Sequence, residues 1–371
     1  MKSLILVTGG RGGSDFFQGL LDSHEEILQI PGILRIDKKF IEIFKSKSNK
    51  EISKKFIDFV PLIFDSRKNK LERHDKLGIN KDEHYIVNKK RFIFFFNKIN
   101  NFKKKKTRMQ TIVNLYKAYY LAKKKKIDKL KLILIHTHTV NYTNKLFKLE
   151  DQKNCVIIHT MRHPIDALLS PIYNWLKFNN GKHFFPRDLY FQKDLAINGL
   201  SNLSKMNKKI FVVLLEDLIL NKKKVMKDFC KIFKIKYSDK LLNCTYFGKQ
   251  WWGDQISGRW LGKKIISTKI TKDKKIKYIF SKNDLNYFKH LTKNIRSEYF
   301  NEKDEKNPRK NIYIKFMPTK SEILTWKNTI KQKKIKHILT IPFYYLKRVL
   351  FLNSLFINKF NFPYSIGSQK F

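Results

Sequence analysis

The chain has 371 residues, with 79 Lys and Arg against 31 Asp and Glu and a formal charge of +48. That length can bury a large core and admits about two domains, while the charge excludes an acidic or neutral surface and points to anionic partners such as nucleotides, nucleic acid, acidic glycans or lipid headgroups. Enrichment in Lys, Ile, Asn and Phe has a second source, genome-level nucleotide bias, which requires no binding function.

The first predicted element is a strand. Leu4 to Val7 form a continuous apolar run, as in a strand covered on both faces. "GGRGGS" (9–14) follows, and from Phe16 the residues Phe16, Phe17, Leu20 and Leu21 recur at helical spacing. A glycine turn between strand and helix brings backbone N–H groups close to a ligand, and the helix N-terminus adds partial positive charge. Arg11 adds a full charge, so a phosphate or sulfate is the natural occupant. Two nucleotide motifs fail here: a P-loop requires Lys before Ser14, and the dinucleotide fingerprint that begins with Gly10 and Gly12 meets Asp15 in place of its third glycine.

Residues 38 to 130 are Lys-rich, with "KKKK" at 103–106 and 123–126 flanking a helical segment near 107–122. Such runs are ordinarily solvated, and here they bracket an inserted, mainly helical cap. Strand signals return at "LKLILIHTHT" (130–139), "CVIIHTMR" (155–162) and "IFVVLLEDL" (210–218); helical patterns follow the last two, which predicts an α/β fold with a parallel sheet. Alternation along the first of these puts His136 and His138 on one strand face. The pair suits a general base, a metal-binding H-x-H for which no third ligand is identifiable, or a purely structural pair. His24, His159 and His163 read as structural. Residues 339–360 mix aromatic and aliphatic residues with scattered Lys and Arg, a pattern that suits an interfacial helix and equally a segment packed on the core.

Cys155, Cys230 and Cys244 show no C-x-x-C spacing, as expected of reduced thiols in a cytoplasmic protein. No stretch reaches the roughly 18 apolar residues that a membrane helix requires, so membrane contact is expected to be peripheral at most.

In "VIIHTMRHPIDALLSPIYNW" (156–175), Arg162 closes a strand and Ser170 lies two turns into the following helix. An Arg at a strand's carboxyl end can pair bidentately with a phosphate, to which a serine hydroxyl can also donate. "RGGSDFFQGLLDSH" resembles the 5′-phosphosulfate loop of the sulfotransferase family in its carbohydrate-acting and bacterial members. "RHPIDALLS" resembles that family's 3′-phosphate segment, "VVLLEDL" its "YEDL" unit, and "TYFGKQWWGD" (245–254) its late Gly/Lys/Trp segment. The resemblance covers roughly residues 1–50 and 130–300.

It implies a P-loop-like parallel sheet flanked by helices, taken as a domain over 1–300; the inserted helical cap at about 38–130 and a C-terminal extension at 301–371 are read from composition and lie outside the resemblance. It also implies 3′-phosphoadenosine 5′-phosphosulfate as co-substrate, with no metal. Arg11, Gly12, Gly13 and Ser14 would hold the phosphosulfate, Arg162 and Ser170 the 3′-phosphate, and Lys249 and Trp251 would close over the nucleotide. Arg11 would neutralise developing charge, and His138, preferred to His136, would be the base; Asp15, Asp37 and Glu42 are the carboxylate alternatives. Asp15 departs from the family's usual Ser or Thr. The acceptor would be a hydroxyl of a glycan, lipid-linked sugar or small metabolite. The rival readings are a basic nucleic-acid or polyanion binder without catalysis, a nucleotide-dependent kinase, and a metal-dependent hydrolase. No specific nucleic acid is expected.

Overall fold

The computed structural model describes residues 1–8, 12–100, 106–138, 155–178, 185–189, 210–253, 280–302, 316–354 and 364–366. Its centre is β1 (Lys2–Thr8), which pairs in parallel with β3 (Leu132–His136) on one side and β4 (Cys155–Met161) on the other. β2 (Ile27–Gln29) pairs with β3, and β5 (Ile210–Leu214) with β4. β8 (Tyr364–Ile366) pairs with β5, giving a parallel sheet in the order β2-β3-β1-β4-β5-β8. Parallel strands need long crossovers, and helices supply them. The fold is therefore α/β with a parallel sheet flanked by helices.

The strands are apolar at successive positions because both faces are covered. Leu4, Leu6, Leu134 and Ile158 pack with Phe16, Phe17, Leu20 and Phe229, which come from α1 (Ser14–Leu21) and from the helix Lys222–Phe233. Ile5, Val7, Ile133 and Ile157 pack on the opposite face, in a cluster that includes Leu168 and Leu169 of the helix Pro164–Phe178.

Between β2 and β3 lie helices α2 (Lys38–Ile43), α3 (Asn49–Phe59), α4 (Pro61–Phe64), α5 (Lys89–Ile99) and α6 (Arg108–Ala122). They are joined by buried aromatic residues: the Phe64 ring lies 5.0 Å from Phe92 and 5.6 Å from Tyr119. One lysine of the 123–126 run is not simply solvated. Lys123 Nζ sits 4.6 Å from the Phe247 ring centroid and 4.7 Å from that of Tyr85, and burial pushes its pKa down to about 7.

The C-terminal third contains helices Lys282–Leu291, Lys293–Phe300, Lys320–Lys331 and Ile341–Ser354. Within the stretch expected to extend beyond the α/β domain, residues 364–366 supply the sixth strand, with Ile366 fully buried. Among the described residues no helix is long and apolar enough to cross a membrane, and all three cysteines are free.

From β1 the chain crosses to β2 on one side, returns through β3, and then passes to β4 on the other side. The carboxyl end of β1 thus sits at the topological switch point, where open α/β sheets hold their ligands.

Candidate functional site at the carboxyl edge of the sheet

Four sequence-predicted segments converge on this edge. β1 runs into the glycine turn, β3 into His138, β4 into Arg162 and β5 into the helix Leu215–Leu220. Gly9, Gly10 and Arg11 lie outside the described residues. Gly12 is demanded by packing, since a Cβ there would fall 2.4 Å from the Thr160 carbonyl oxygen and 2.6 Å from Thr8 Oγ1. Gly13 has φ +84°, and its Cβ would meet Leu215 Cδ1 at 2.5 Å. Both glycines therefore seat the turn tightly on β4 and on the start of the helix Leu215–Leu220 that follows β5. Ser14 then opens α1 with its side chain buried.

Asp15 and Gln18 occupy positions i and i+3 of α1, which lie on the same helix face, and that face meets the end of β3. The register places His136 beside Leu6, and the Thr137 N–H donates to the Leu6 carbonyl at 2.8 Å. His138 follows, its Nε2 3.4 Å from Ser14 Oγ. The His136 and His138 rings are 5.0 Å apart in an edge-on arrangement. Asp15 reaches toward both histidines: Oδ1 is 3.9 Å from His136 Nδ1, and Oδ2 is 3.9 Å from His138 Nε2. The residue that departs from the family pattern is thus turned toward the histidines.

The two histidines are not equivalent. Gln18 Nε2 donates to the Ile30 carbonyl at 2.8 Å, and its Oε1 accepts from the Gly32 N–H at 3.2 Å. Those backbone groups fix the amide's orientation. Gln18 Oε1 lies 2.9 Å from His136 Nδ1, so Nδ1 must carry the proton and donate. His136 is fully buried, and this burial, reinforced by the neighbouring His138, holds its pKa well below the usual histidine value. It stays neutral, with Nε2 enclosed and without a hydrogen-bond partner among the described residues. His138, by contrast, has its side chain 40% exposed.

Asp15, His136 and His138 present one ligand atom each, all within 4.8 Å of one another. A divalent cation would need its donors about 2.0–2.2 Å from the ion, and at His136 Nδ1 it would have to displace the proton held by Gln18. Asp15 is thus the third candidate ligand that the sequence did not identify, and an ion taken up at His136 Nδ1 would compete with the Gln18 hydrogen bond.

Arg162 and Ser170 are both buried, at the end of β4 and on the helix Pro164–Phe178. Glu216, from the "EDL" unit, accepts from the His163 N–H at 3.0 Å. Burial raises the Glu216 pKa, against the lowering influence of the His163 bond and the Arg162 charge. His163 Nε2 contacts Glu302 Oε1 at 3.0 Å, and its ring lies 4.9 Å from that of Phe300.

The late Gly/Lys/Trp segment forms a hairpin of β6 (Thr245–Tyr246) and β7 (Lys249–Gln250). It is tied to α1 by the Tyr246 hydroxyl, which donates to the Asp15 carbonyl at 2.7 Å. The buried Asp22 accepts from the Gly248 N–H at 2.7 Å and from Thr245 Oγ1 at 3.0 Å. Lys249 is paired with Glu83. Trp251 is buried and its Nε1 donates to the Glu72 carbonyl at 2.7 Å. Both residues line a cleft of about 780 Å³ with Phe16, Lys222 and Cys244, whose walls do not include Gly12–Ser14, His138 or Arg162.

The carboxylate alternatives have local partners. Asp37 caps α2 by accepting from the Phe40 N–H at 3.0 Å, and the exposed Glu42 pairs with Lys45 at 2.7 Å. His24 is engaged at both ring nitrogens, by the Lys236 carbonyl and the Glu26 N–H. His159 is buried, with its pKa pushed down to about 4 by that burial. Gln18 and Glu216 were missed from sequence. Gln18's only signal was its position three residues after Asp15.

No family model matches the chain, and no curated protein matches its sequence. Among solved structures it is similar to the sulfotransferase domain of the Synechococcus PCC 7002 olefin synthase, at 14% identity and TM-score 0.36, over 70% of this chain and 80% of that one. That likeness is too distant to transfer a residue or a substrate.

Proposed function

We propose that this protein transfers a sulfuryl group from 3′-phosphoadenosine 5′-phosphosulfate to a hydroxyl acceptor at the carboxyl edge of its sheet. The observation that carries the reading is the 3.4 Å approach of His138 Nε2 to Ser14 Oγ, which sets a proton acceptor beside the first side chain after the glycine turn. The phosphosulfate is assigned to Arg11 and Gly12–Ser14, where the N-terminus of α1 favours negative charge. The 3′-phosphate is assigned to Arg162 and Ser170. Lys249 and Trp251 would approach the nucleotide only if Lys249 exchanged Glu83 for a phosphate.

By analogy with phosphoryl transfer, the chemistry is an in-line displacement. The acceptor oxygen bonds to sulfur as the bond from sulfur to the phosphate oxygen breaks, and the acceptor's proton passes to His138. His136 is unsuited to that step because its Nδ1 proton is committed to Gln18 and its Nε2 is enclosed. Asp15, 3.9 Å from His138 Nε2, would stabilise the imidazolium that forms. Arg11 would neutralise charge on the leaving oxygen. The acceptor is assigned to a hydroxyl of a glycan, lipid-linked sugar or small metabolite, and the three free thiols fit a cytoplasmic setting.

Thermal denaturation with adenosine 3′,5′-bisphosphate tests the reading. A nucleotide at a hundredfold excess over its Kd stabilises the folded state by about 2.7 kcal/mol. Indifference to that nucleotide, together with nucleic-acid binding that collapses with salt, would establish the polyanion-binding alternative instead. Mass spectrometry of surface polysaccharide from cells with and without the gene then addresses the acceptor.

A further inference from the structure

The C-terminal helices carry an apolar stripe that the fold leaves open. In the helix Ile341–Ser354, Tyr345 and Arg348 face inward. The Tyr345 ring lies 5.8 Å from that of Trp326, and Arg348 Nε bonds Glu322 Oε1 at 3.0 Å. On the other side Phe343, Leu346 and Leu350 are 57%, 57% and 70% exposed, and Leu339, just ahead of the helix, is 72% exposed. Positions 339, 343, 346 and 350 repeat at i, i+4, i+7 and i+11, the spacing of one helix face. Ile330 and Ile335 are also exposed.

The charge around the stripe has one sign. Residues 316–354 contain seven lysines, Arg348, and a single acidic residue, Glu322. Glu322 is buried and spent on Arg348. Lys327, Lys331, Lys333, Lys334, Lys336 and Lys347 are all exposed. A second copy of the chain would set these lysines against their own kind, whereas an anionic surface complements them.

We infer that the segment 330–350 docks on an anionic lipid surface, with Leu339, Phe343, Leu346 and Leu350 entering the headgroup boundary and the flanking lysines contacting lipid phosphates. Exposed apolar side chains with lysines on the helix (Lys347) and on the segment just before it (Lys331, Lys333, Lys334 and Lys336) combine the two attractions that hold protein segments at an anionic membrane interface. The apolar residues supply burial and the lysines supply selectivity for negative headgroups. This surface is independent of the chemistry at the sheet edge.

The test is co-sedimentation of the full chain with phosphatidylcholine vesicles prepared with and without phosphatidylglycerol. Binding is expected to the anionic vesicles and to weaken with salt. Reversing Lys333 and Lys336 to Glu should lower the affinity by at least fivefold per position, the equivalent of about 1 kcal/mol per basic residue. F343D combined with L346D should lower it more than tenfold while leaving the melting temperature unchanged, because both side chains are already exposed. Lys98→Glu, an exposed charge on α5, is the control and should act far less. The inference is overturned by absence of binding to anionic vesicles, by equal loss with Lys98→Glu, or by an oligomer in solution that F343D/L346D disperses, which would make the stripe a contact between copies.

Discussion

The carboxyl edge of the sheet and the C-terminal helices depart from ordinary burial in opposite directions. At the edge, polar side chains lie inside: Ser14, Gln18, His136, Arg162 and Ser170 are all buried. On the helix Ile341–Ser354, apolar side chains lie outside. Buried polar groups and exposed apolar patches are the informative exceptions to hydrophobic patterning, because each costs stability unless something compensates. At the edge the compensation is partly internal, as in the chain from the Ile30 carbonyl and the Gly32 N–H through Gln18 to His136. On the helices, neighbouring charge makes an external partner the natural one.

The largest effect expected at the edge is loss of the base. His138→Ala should lower turnover by about 10²–10⁴ while leaving nucleotide affinity intact, since a base acts on the chemical step. His136→Ala should do something different. It removes one donor to Gln18 Oε1, which keeps the Gly32 N–H, and empties a fully buried ring site, costing roughly 1–3 kcal/mol of folding stability from the lost hydrogen bond and the cavity together. Steady-state kinetics alongside urea denaturation separates the two. Inactivation by His136→Ala at unchanged stability would reverse the roles, and an activity restored by added zinc would favour a metal centre after all.

Next in size is the phosphate contact. Arg162→Ala should weaken adenosine 3′,5′-bisphosphate by about 2–5 kcal/mol and barely alter an analogue lacking the 3′-phosphate, as measured by calorimetry. Equal losses for both ligands would show that Arg162 supports the fold around Glu216 and does not read that phosphate.

The two regions also differ in how much of them the sequence displayed. Unbroken apolar runs such as Leu4–Val7 and Leu132–Ile135 marked doubly covered strands, and the glycine turn marked the switch-point loop, because strand period and glycine chemistry are local properties. The pairing of Asp15 with the histidines was not visible, since it depends on the register of β3 against β1 and on the face that α1 presents. Gln18 was invisible for the same reason: its role rests on the Ile30 and Gly32 backbone groups, whose positions tertiary structure decides. Lys249 and Trp251 show the converse. Their motif was conspicuous, yet the ammonium is paired with Glu83 and the indole donates to Glu72. The tail's composition suited both an exposed and a packed helix, and one face proves to be each. β8 escaped notice because a three-residue edge strand carries almost no periodicity.

A smaller effect tests whether the glycine turn is as tightly seated as its contacts require. Gly13→Ala places a Cβ 2.5 Å from Leu215 Cδ1 at φ +84°, a backbone region that L-residues adopt only with strain. About 1–3 kcal/mol of destabilisation is expected, from overpacking and left-handed strain together. Shortening Leu215 to Ala in the same chain should recover the overpacking part alone. Full recovery would mean that φ is free to relax, and no loss at all would mean that the turn is not seated as described.

The smallest effect is the share of a single buried histidine in the pH dependence that such histidines should impose on stability. Burial lowers His74 to about 3 and His159 to about 4, and holds His136 well below the usual value. In the unfolded chain each returns to roughly 6.5. As pH falls below that value the unfolded state takes up protons that the folded state refuses, so stability is lost on acidification and is fully present above it. Each such histidine contributes a slope approaching about 1.4 kcal/mol per pH unit, which continues down to its folded pKa. Urea midpoints measured from pH 7.5 to 5 lie above most carboxylate titration and should hold near pH 7.5, then fall as pH drops through about 6.5 to 5. His159→Gln should flatten the slope by up to one histidine's share, whatever it does to stability at pH 7.5. Lys333→Glu and Lys336→Glu, beside the open stripe, should leave the slope unchanged, because exposed charges there gain no buried environment on folding. A slope that ignores His159 and follows the lysines would place the pH-sensitive burial in the wrong half of the molecule.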